Sequence, residues 1–245
     1  MNREKEKAYL FKEVLGLENS PVGIKVVEKA DFLQEKVRIC KAIKDVAKEK
    51  KKIILAKENN ACFGASWHLG FQKIDNPKTI EMIKKFVVEG EKLFSSYSAL
   101  DNLLSQMGDI PDNSNKNFIL QAWEDMDIQP ELVIFLCNPE QACRILTLLT
   151  FIDGNMPKIK IGGPTCRMAV IYPLISGEAN ISFYDYTARK LCNLDKDKLL
   201  VSIPYKKIPL ILESIDRCSA GKAKIEYPQE FRKFLQKRFN IKKRH

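Results

Sequence analysis

No apolar run in this sequence approaches the ~18 residues of a membrane span. The first residues, Met1-Asn2-Arg3-Glu4-Lys5-Glu6-Lys7, lack the apolar core of a signal peptide. The expectation is therefore a cytoplasmic protein, without a membrane partner. There is no Cys-x-x-Cys, which argues against a zinc ribbon and a thioredoxin-type redox pair. The compact ferredoxin ligand run is excluded for the same reason. A P-loop, a Rossmann glycine fingerprint and a Ser-His-Asp ordering are also missing, so nucleotide-dependent and hydrolase functions have no local support. No linker or low-complexity tract divides the chain.

What is present is a basic α/β pattern. Lys and Arg number 41 against 31 Asp and Glu, a formal charge of +10. Much of it is local, in Lys48–Lys52 and in a basic C-terminal helix and tail from about residue 228. Such runs can neutralise phosphates, but no aromatic-interleaved basic motif accompanies them. A solvated, lysine-rich surface explains them equally. Nucleic acid is thus the lesser alternative.

Strand signals lie at 20–27, 53–57, 118–123, 132–137, 159–161, 180–184 and 199–205, with helical spacing at 3–17, 31–50, 76–94, 98–107, 138–151, 207–218 and 228–239. Helices alternate with strands, which predicts one α/β domain over residues 1–245, a mixed β-sheet flanked by helices. In the helix predicted over 31–50, Phe32, Val37, Cys40, Ile43 and Val46 form the inner side.

The most informative stretch is Lys57-Glu58-Asn59-Asn60-Ala61-Cys62-Phe63-Gly64-Ala65-Ser66-Trp67-His68-Leu69-Gly70. It follows the buried-strand run Ile53–Ala56 and leads into a short helix that Asn59 or Asn60 can cap. Cys62 then falls in the first turn, where free N–H groups favour a thiolate. The alternative is a cysteine acting as a small buried hydrophobe. Ile159–Cys166 repeats this design of short strand, glycine-bearing turn and cysteine. Asn138-Pro139-Glu140-Gln141 reads as a helix start with Asn as cap and Pro in the first helical position.

Several of these motifs carry a resemblance. They are Pro21-Val22-Gly23-Ile24-Lys25, Cys40-Lys41-Ala42, Glu58 with Cys62-Phe63-Gly64-Ala65 and Leu69-Gly70, Asn138-Pro139 with Gln141-Ala142 and Arg144, Gly163 with Cys166, and Asp195 with Ile203-Pro204-Tyr205. In order and spacing the chain resembles, from about Leu15 to Ser214, the domain of unknown function 169 family of archaea and anaerobic bacteria. The resemblance implies a cytoplasmic protein and supplies no reaction. One departure stands out: the family often reads Gly-Cys-Tyr-Gly near the aligned Phe183-Tyr184-Asp185-Tyr186, where this chain has no cysteine.

Cys40, Cys62 and Cys166 fall on family motifs, and dispersed cysteines can converge in space. Three thiolates, together with the softness of sulfur ligands and the anaerobic family context, point to an iron–sulfur cluster, of the 4Fe–4S type, as the cofactor and metal centre. One iron would lack a protein thiolate and stay open for ligand binding, sulfur transfer or electron transfer. A small-molecule ligand or a redox partner protein is then the expected partner. The alternatives are a metal-free small-molecule binder and a nucleic-acid binder acting through its basic C-terminus. Glu58, His68, Asn138, Gln141 and Arg144 are candidate ligand-binding residues, each with an ordinary structural use: dipole partner, capping side chain or surface ion pair. Cys137, Cys192 and Cys218 are assigned to the core.

Overall fold

Leu132–Cys137 is buried at every position, the pattern of a strand covered on both faces. The computed structural model describes residues 3–28 and 35–239. Its strands are β1 (Val22–Glu28), β2 (Ile53–Leu55), β3 (Lys116–Ala122), β4 (Leu132–Cys137), β5 (Asn180–Ser182) and β6 (Leu199–Pro204). They form one six-stranded sheet in the order β2-β3-β1-β4-β6-β5. The α/β single-domain expectation holds. The sheet, however, is antiparallel at every ladder rather than mixed. The reason lies in the crossovers. β1 and β2 run parallel, as do β4 and β5, but β3 inserts between the first pair and β6 between the second.

Alternation along the strands splits the interior into two apolar layers. Leu132, Ile134 and Leu136 of β4 join Val22, Ile24, Leu55, Phe118, Leu120 and Leu200 on one face. That face is covered by α2 (Ile39–Glu49), α3 (Phe63–His68), a π-helical turn at Cys166–Ile171 and α8 (Tyr186–Cys192). Val133, Phe135 and Cys137 join Leu199, Val201 and Ile203 on the other. There the cover is α1 (Arg3–Leu15), α6 (Pro139–Thr150) and α9 (Ile208–Ser214). Among the described residues no helix is long and apolar enough to cross a membrane.

Two local expectations are corrected. Helix α2 begins at Ile39, so it is shorter than the predicted 31–50; Phe32 lies outside the described residues. Residues 159–161 are not a strand. The Asn180 side chain accepts from Lys160 N at 2.8 Å and donates to Lys160 O at 3.1 Å, so a side chain serves this backbone instead of a ladder.

Between α3 and β3 the chain makes an arm of α4 (Pro77–Lys85), a π-helical turn (Phe86–Gly90) and α5 (Tyr97–Gln106). The stripe Ile80, Ile83, Val87 is only half-buried, and α5 buries Leu100 alone. The arm is closed at its base, where Asn113 donates from N to Gly70 O at 2.8 Å and from Nδ2 to Leu69 O at 2.7 Å. Gly70 has φ +79°, and a Cβ there would lie 1.9 Å from Pro111 O. Gly70→Ala is therefore expected to cost about 2–5 kcal/mol, the left-handed backbone penalty plus overlap with backbone. Gly64→Ala, which meets nothing in α3, should be neutral or gain up to about 1 kcal/mol. Urea melts of both variants check this; equal stabilities would refute it.

On the second face Glu4 is buried, accepting from Trp123 Nε1 at 2.8 Å, Tyr205 OH at 2.6 Å and Lys7 Nζ at 2.8 Å. Burial alone would raise its pKa, but the hydrogen bonds from Lys7, Tyr205 and Trp123 outweigh it and hold the carboxyl below its ordinary 4.5. The folded state thus binds this proton less tightly than the unfolded one. The stabilisation is complete above pH 4.5 and disappears as pH falls through the lowered value. Thermal unfolding from pH 7 to pH 3 should show a shallower acid loss in Glu4→Gln than in wild type. Parallel curves would refute the assignment.

Candidate functional site: a buried cysteine pocket

Cys40 occupies the first turn of α2, with Arg38 as the extended N-cap residue and no side chain capping it. The sequence places it mid-helix; the true start leaves it among N–H groups that lack intrahelical partners. A short parallel bridge brings it to the second cysteine. Val37 N donates to Asn59 O and Ala61 N to Val37 O, both at 2.9 Å, which sets Val37 beside Asn60, three residues before Cys40 and two before Cys62.

Cys62 is itself the N-cap residue of α3 rather than a residue inside its first turn, and is half-buried. Asn60 holds it: Oδ1 accepts from Cys62 N at 3.2 Å, and Nδ2 donates to Cys62 O and Ser66 Oγ at 2.7 Å. Asn59 is not a cap. It closes the turn after β2, accepting from Ala56 N at 2.7 Å and donating to Ile54 O at 2.8 Å.

Cys166 arrives by a different route from the expected strand. Gly162 and Gly163 have φ +107° and +79°, a double left-handed turn that L residues resist. Thr165, fully buried, then donates from N (3.0 Å) and Oγ1 (2.8 Å) to Asp185 Oδ2. Asp185 also caps α8, accepting from Ala188 N at 2.7 Å through Oδ1. Cys166 opens the π-helical turn, an irregularity common at functional sites.

The far end of α8 is Cys192. Lys44 of α2 donates to the carbonyls of Cys192 (3.3 Å) and Asn193 (2.8 Å). Helix α8 is thus tied at one end to the Cys166 turn and at the other to the helix that carries Cys40.

All four cysteines consequently pack in the apolar layer of one sheet face, with Cys40, Cys166 and Cys192 buried in it and Cys62 against it. Their thiols influence one another. Burial first, then the charges of Cys166, Asp185, Cys192 and Cys62, push the Cys40 thiol far up. Burial and the Cys62 charge raise Cys166. Burial also raises Cys192, with Arg38 acting in the opposite direction. Without a positive centre among them, the three buried thiols stay protonated at neutral pH.

In the elements of this face four buried polar atoms have no hydrogen-bond partner: His68 Nδ1, Arg167 Nε and Nη1, and Tyr184 OH. Arg167 is 1% exposed. Its Nη2 serves the carbonyls of Met107, Gly108 and Asp109 at the end of α5. Burial lowers its pKa, and the charges of Cys166 and Asp109 partly restore it. Tyr184 is held at φ +59°, a strained conformation for an aromatic residue. Its hydroxyl is pushed up by burial and by the charges of Cys40 and Cys192. His68 is lowered to about 4 by burial and then by Arg167, so its ring is neutral at pH 7.

A family profile, described as an uncharacterised ArCR, matches residues 10–214. The chain belongs to the domain of unknown function 169 family. An uncharacterized protein of Methanocaldococcus jannaschii is 20% identical over 225 residues, covering 88% of this chain and 95% of the relative. No solved structure matches the chain. The family match ends at residue 214, so the basic helix α10 (Gln229–Phe239) lies beyond it.

Of the family-motif residues, Cys40, Cys62 and Cys166 share one apolar layer, and His68 is buried within the influence of Arg167 and Asp185. Asn138, Gln141 and Arg144 are not. They stand on α6, against the opposite face, and their polar groups are engaged elsewhere. Asn138 and Gln141 form a capping box, with Gln141 Nε2 reaching Gly16 O at 2.7 Å. Arg144 ties Ala220 O (2.9 Å) to Val14 O (2.5 Å). Glu58 is exposed on the turn after β2. Cys137 and Cys218 are core residues of the second face, as expected. Cys192 is a core residue too, but of the first face, in the layer that holds Cys40 and Cys166.

Sequence reasoning missed Arg167, Tyr184, Asp185, Thr165 and Cys192. The available signals were an arginine directly after a motif cysteine and the departure from the family pattern at 183–186. Among the described residues no three His, Cys, Asp or Glu side chains are set to close round a single metal ion. A cleft of about 480 Å³, lined by Pro77, Ile80, Glu81, Lys84 and Tyr97, lies in the arm.

Proposed function

We propose that this protein holds an iron–sulfur cluster through Cys40, Cys62 and Cys166, leaving one iron open to a small ligand or to exchange with a redox partner. One observation carries the reading: thiols from three distant parts of the chain meet in one buried apolar layer that also holds polar atoms without partners. Protonated thiols gain little from such company, and an unpaired buried donor costs about 1–3 kcal/mol. A cluster would answer both. Its irons would supply the positive charge that thiolates need, and Arg167 and Tyr184 would offer it N–H and O–H donors. Each cysteine would bind a different iron, so a cluster does not need the tight ligand set that a single ion requires. Soft thiolates in an irregular, mostly buried pocket favour iron–sulfur chemistry over hard cations.

The test is purification under strict anaerobiosis, followed by absorbance and by iron and sulfide analysis. A broad band near ~400 nm with matching iron and sulfide is the expected result. A chain that remains colourless after anaerobic reconstitution with ferrous iron and sulfide would leave a metal-free small-molecule binder as the reading.

A further inference from the structure

The two basic stretches of this chain meet different fates in the fold. Lys48, Lys50 and Lys51 are answered by carboxylates, those of Asp195, Glu124 and Glu49. Helix α10 is not answered. It sets Arg232, Lys233, Lys237 and Arg238 against Glu230 alone, and among the described residues no carboxylate pairs with any of the four. The sequence adds Lys242, Lys243 and Arg244 directly after it.

The same helix carries apolar side chains that the fold leaves uncovered. None of residues 229–238 is buried. Phe231 and Phe234 are each 47% exposed, and Tyr227, just before the helix, is 44% exposed. Their rings form a row, with centroids 5.7 Å apart from Tyr227 to Phe231 and 5.9 Å from Phe231 to Phe234. At about 100° per residue Leu235 joins this stripe, whereas Arg232, Lys233 and Lys237 fall outside it. We infer that α10 binds the surface of an anionic lipid bilayer. It would lie in the interface plane, with the aromatic stripe among the acyl chains and the cations on the lipid phosphates. The inference is independent of the cluster reading.

Two features favour a bilayer over a nucleic acid, the other polyanion such a helix could meet. A base stacks on an open ring face. Phe234 has Phe231 stacked on it at 21° one turn before and the Arg238 guanidinium 5.8 Å from its centroid one turn after. Acyl chains need only the exposed ring edges. The second feature is segregation. An apolar stripe flanked by cations matches the layering of a membrane interface, with phosphates above hydrocarbon. The 11 residues of α10 extend about 16 Å, half the ~30 Å of a hydrocarbon core. The helix therefore rests on the membrane without crossing it, in keeping with the absence of a spanning helix among the described residues.

The experiment is co-sedimentation of the full chain with vesicles of phosphatidylcholine alone or mixed equally with phosphatidylglycerol. Wild type is expected to bind the mixed vesicles about tenfold more tightly than the neutral ones, and less tightly as salt rises. Phe231→Ala/Phe234→Ala keeps every charge and should weaken binding to the mixed vesicles about tenfold. Lys237→Gln/Arg238→Gln keeps both rings and should do the same, because membrane attachment needs both the apolar and the cationic signal. Phe234→Trp should shift its emission to the blue on vesicle addition and be quenched by brominated acyl chains. Equal binding to the two vesicle types, no binding to either, or undiminished binding by the double alanine variant overturns the inference. So does tighter binding to a mixed-sequence oligonucleotide than to the vesicles, lost in the same variant, which would make α10 a nucleic-acid surface. Circular dichroism melts check that each variant is folded. Should a double variant melt early, Phe234→Trp decides, and unshifted, unquenched emission in the presence of mixed vesicles overturns the inference by itself.

Discussion

Cys62→Ala is expected to reduce bound iron from its wild-type level to background, while Cys218→Ala leaves it unchanged. Cys62 is the informative position for testing the proposed site because it is only half-buried. Its truncation opens little cavity, so the loss of iron is not confounded with loss of fold. Cys218 is 3% exposed and packs on the other face of the sheet. It therefore serves as a matched control in which a buried sulfur is removed far from the pocket. Removing one sulfur from a buried core costs on the order of 1–2 kcal/mol, which a domain of ordinary stability tolerates. Both variants should melt cooperatively. Iron and sulfide analysis after anaerobic reconstitution reads the difference. Wild-type iron in Cys62→Ala would remove Cys62 from the ligand set. Equal loss in both variants would show that iron retention reports stability rather than ligation.

The largest expected stability effect belongs to Trp123, which bears on the fold and not on the pocket. Its side chain is fully buried on the second face, 5.6 Å from Phe11 and 6.3 Å from Tyr205 between ring centroids. Its backbone N donates to Pro21 O at 2.8 Å, joining the end of β3 to the start of β1. Its indole N–H is one of three donors to the buried Glu4 carboxylate. Trp123→Ala should cost about 3–5 kcal/mol, from lost transfer energy and a cavity that two aromatic neighbours can fill only partly. Trp123→Phe keeps most of the packing and forfeits the indole donor, at about 1–3 kcal/mol. Urea denaturation with constant slope measures both. A cost below about 1 kcal/mol for the alanine variant would mean that the second apolar layer is not a keystone of the fold. Because Trp123 and the cysteines lie on opposite faces, folded Trp123→Phe should bind iron as wild type does.

The two faces also explain which parts of the site were legible in the sequence. The helix start at Asn138-Pro139-x-Gln141 was readable in full, since a capping box is local chemistry completed within four residues. It resembles a ligand site for the same reason: the motif is distinctive whatever it does. What assigns it to structure is Gln141 reaching Gly16, a partner 125 residues away. The apolar runs at 22–27, 53–55 and 132–137 were equally readable, because burial on one or both faces leaves its mark in residue type. The run at 159–161 misled because Asn180 supplies its hydrogen bonds from a side chain, leaving no mark in the run itself.

By itself, then, the sequence determined the six strands, with a false seventh at 159–161, and most of the helices, because each depends on propensity, capping or alternation within a few residues. Only the tertiary structure decided that every ladder is antiparallel, since β3 and β6 insert between strands already joined by crossovers. It alone brought Cys192 into the layer that holds Cys40 and Cys166, where Lys44, on a helix 148 residues earlier, bonds its carbonyl. It also placed the unpaired nitrogens of the buried Arg167 beside Cys166 and locked Thr165 to Asp185 across 20 residues. Contacts of that separation are selected by the burial of whole faces and by the requirement that buried polar groups find partners. Neither condition is written in any short stretch of chain.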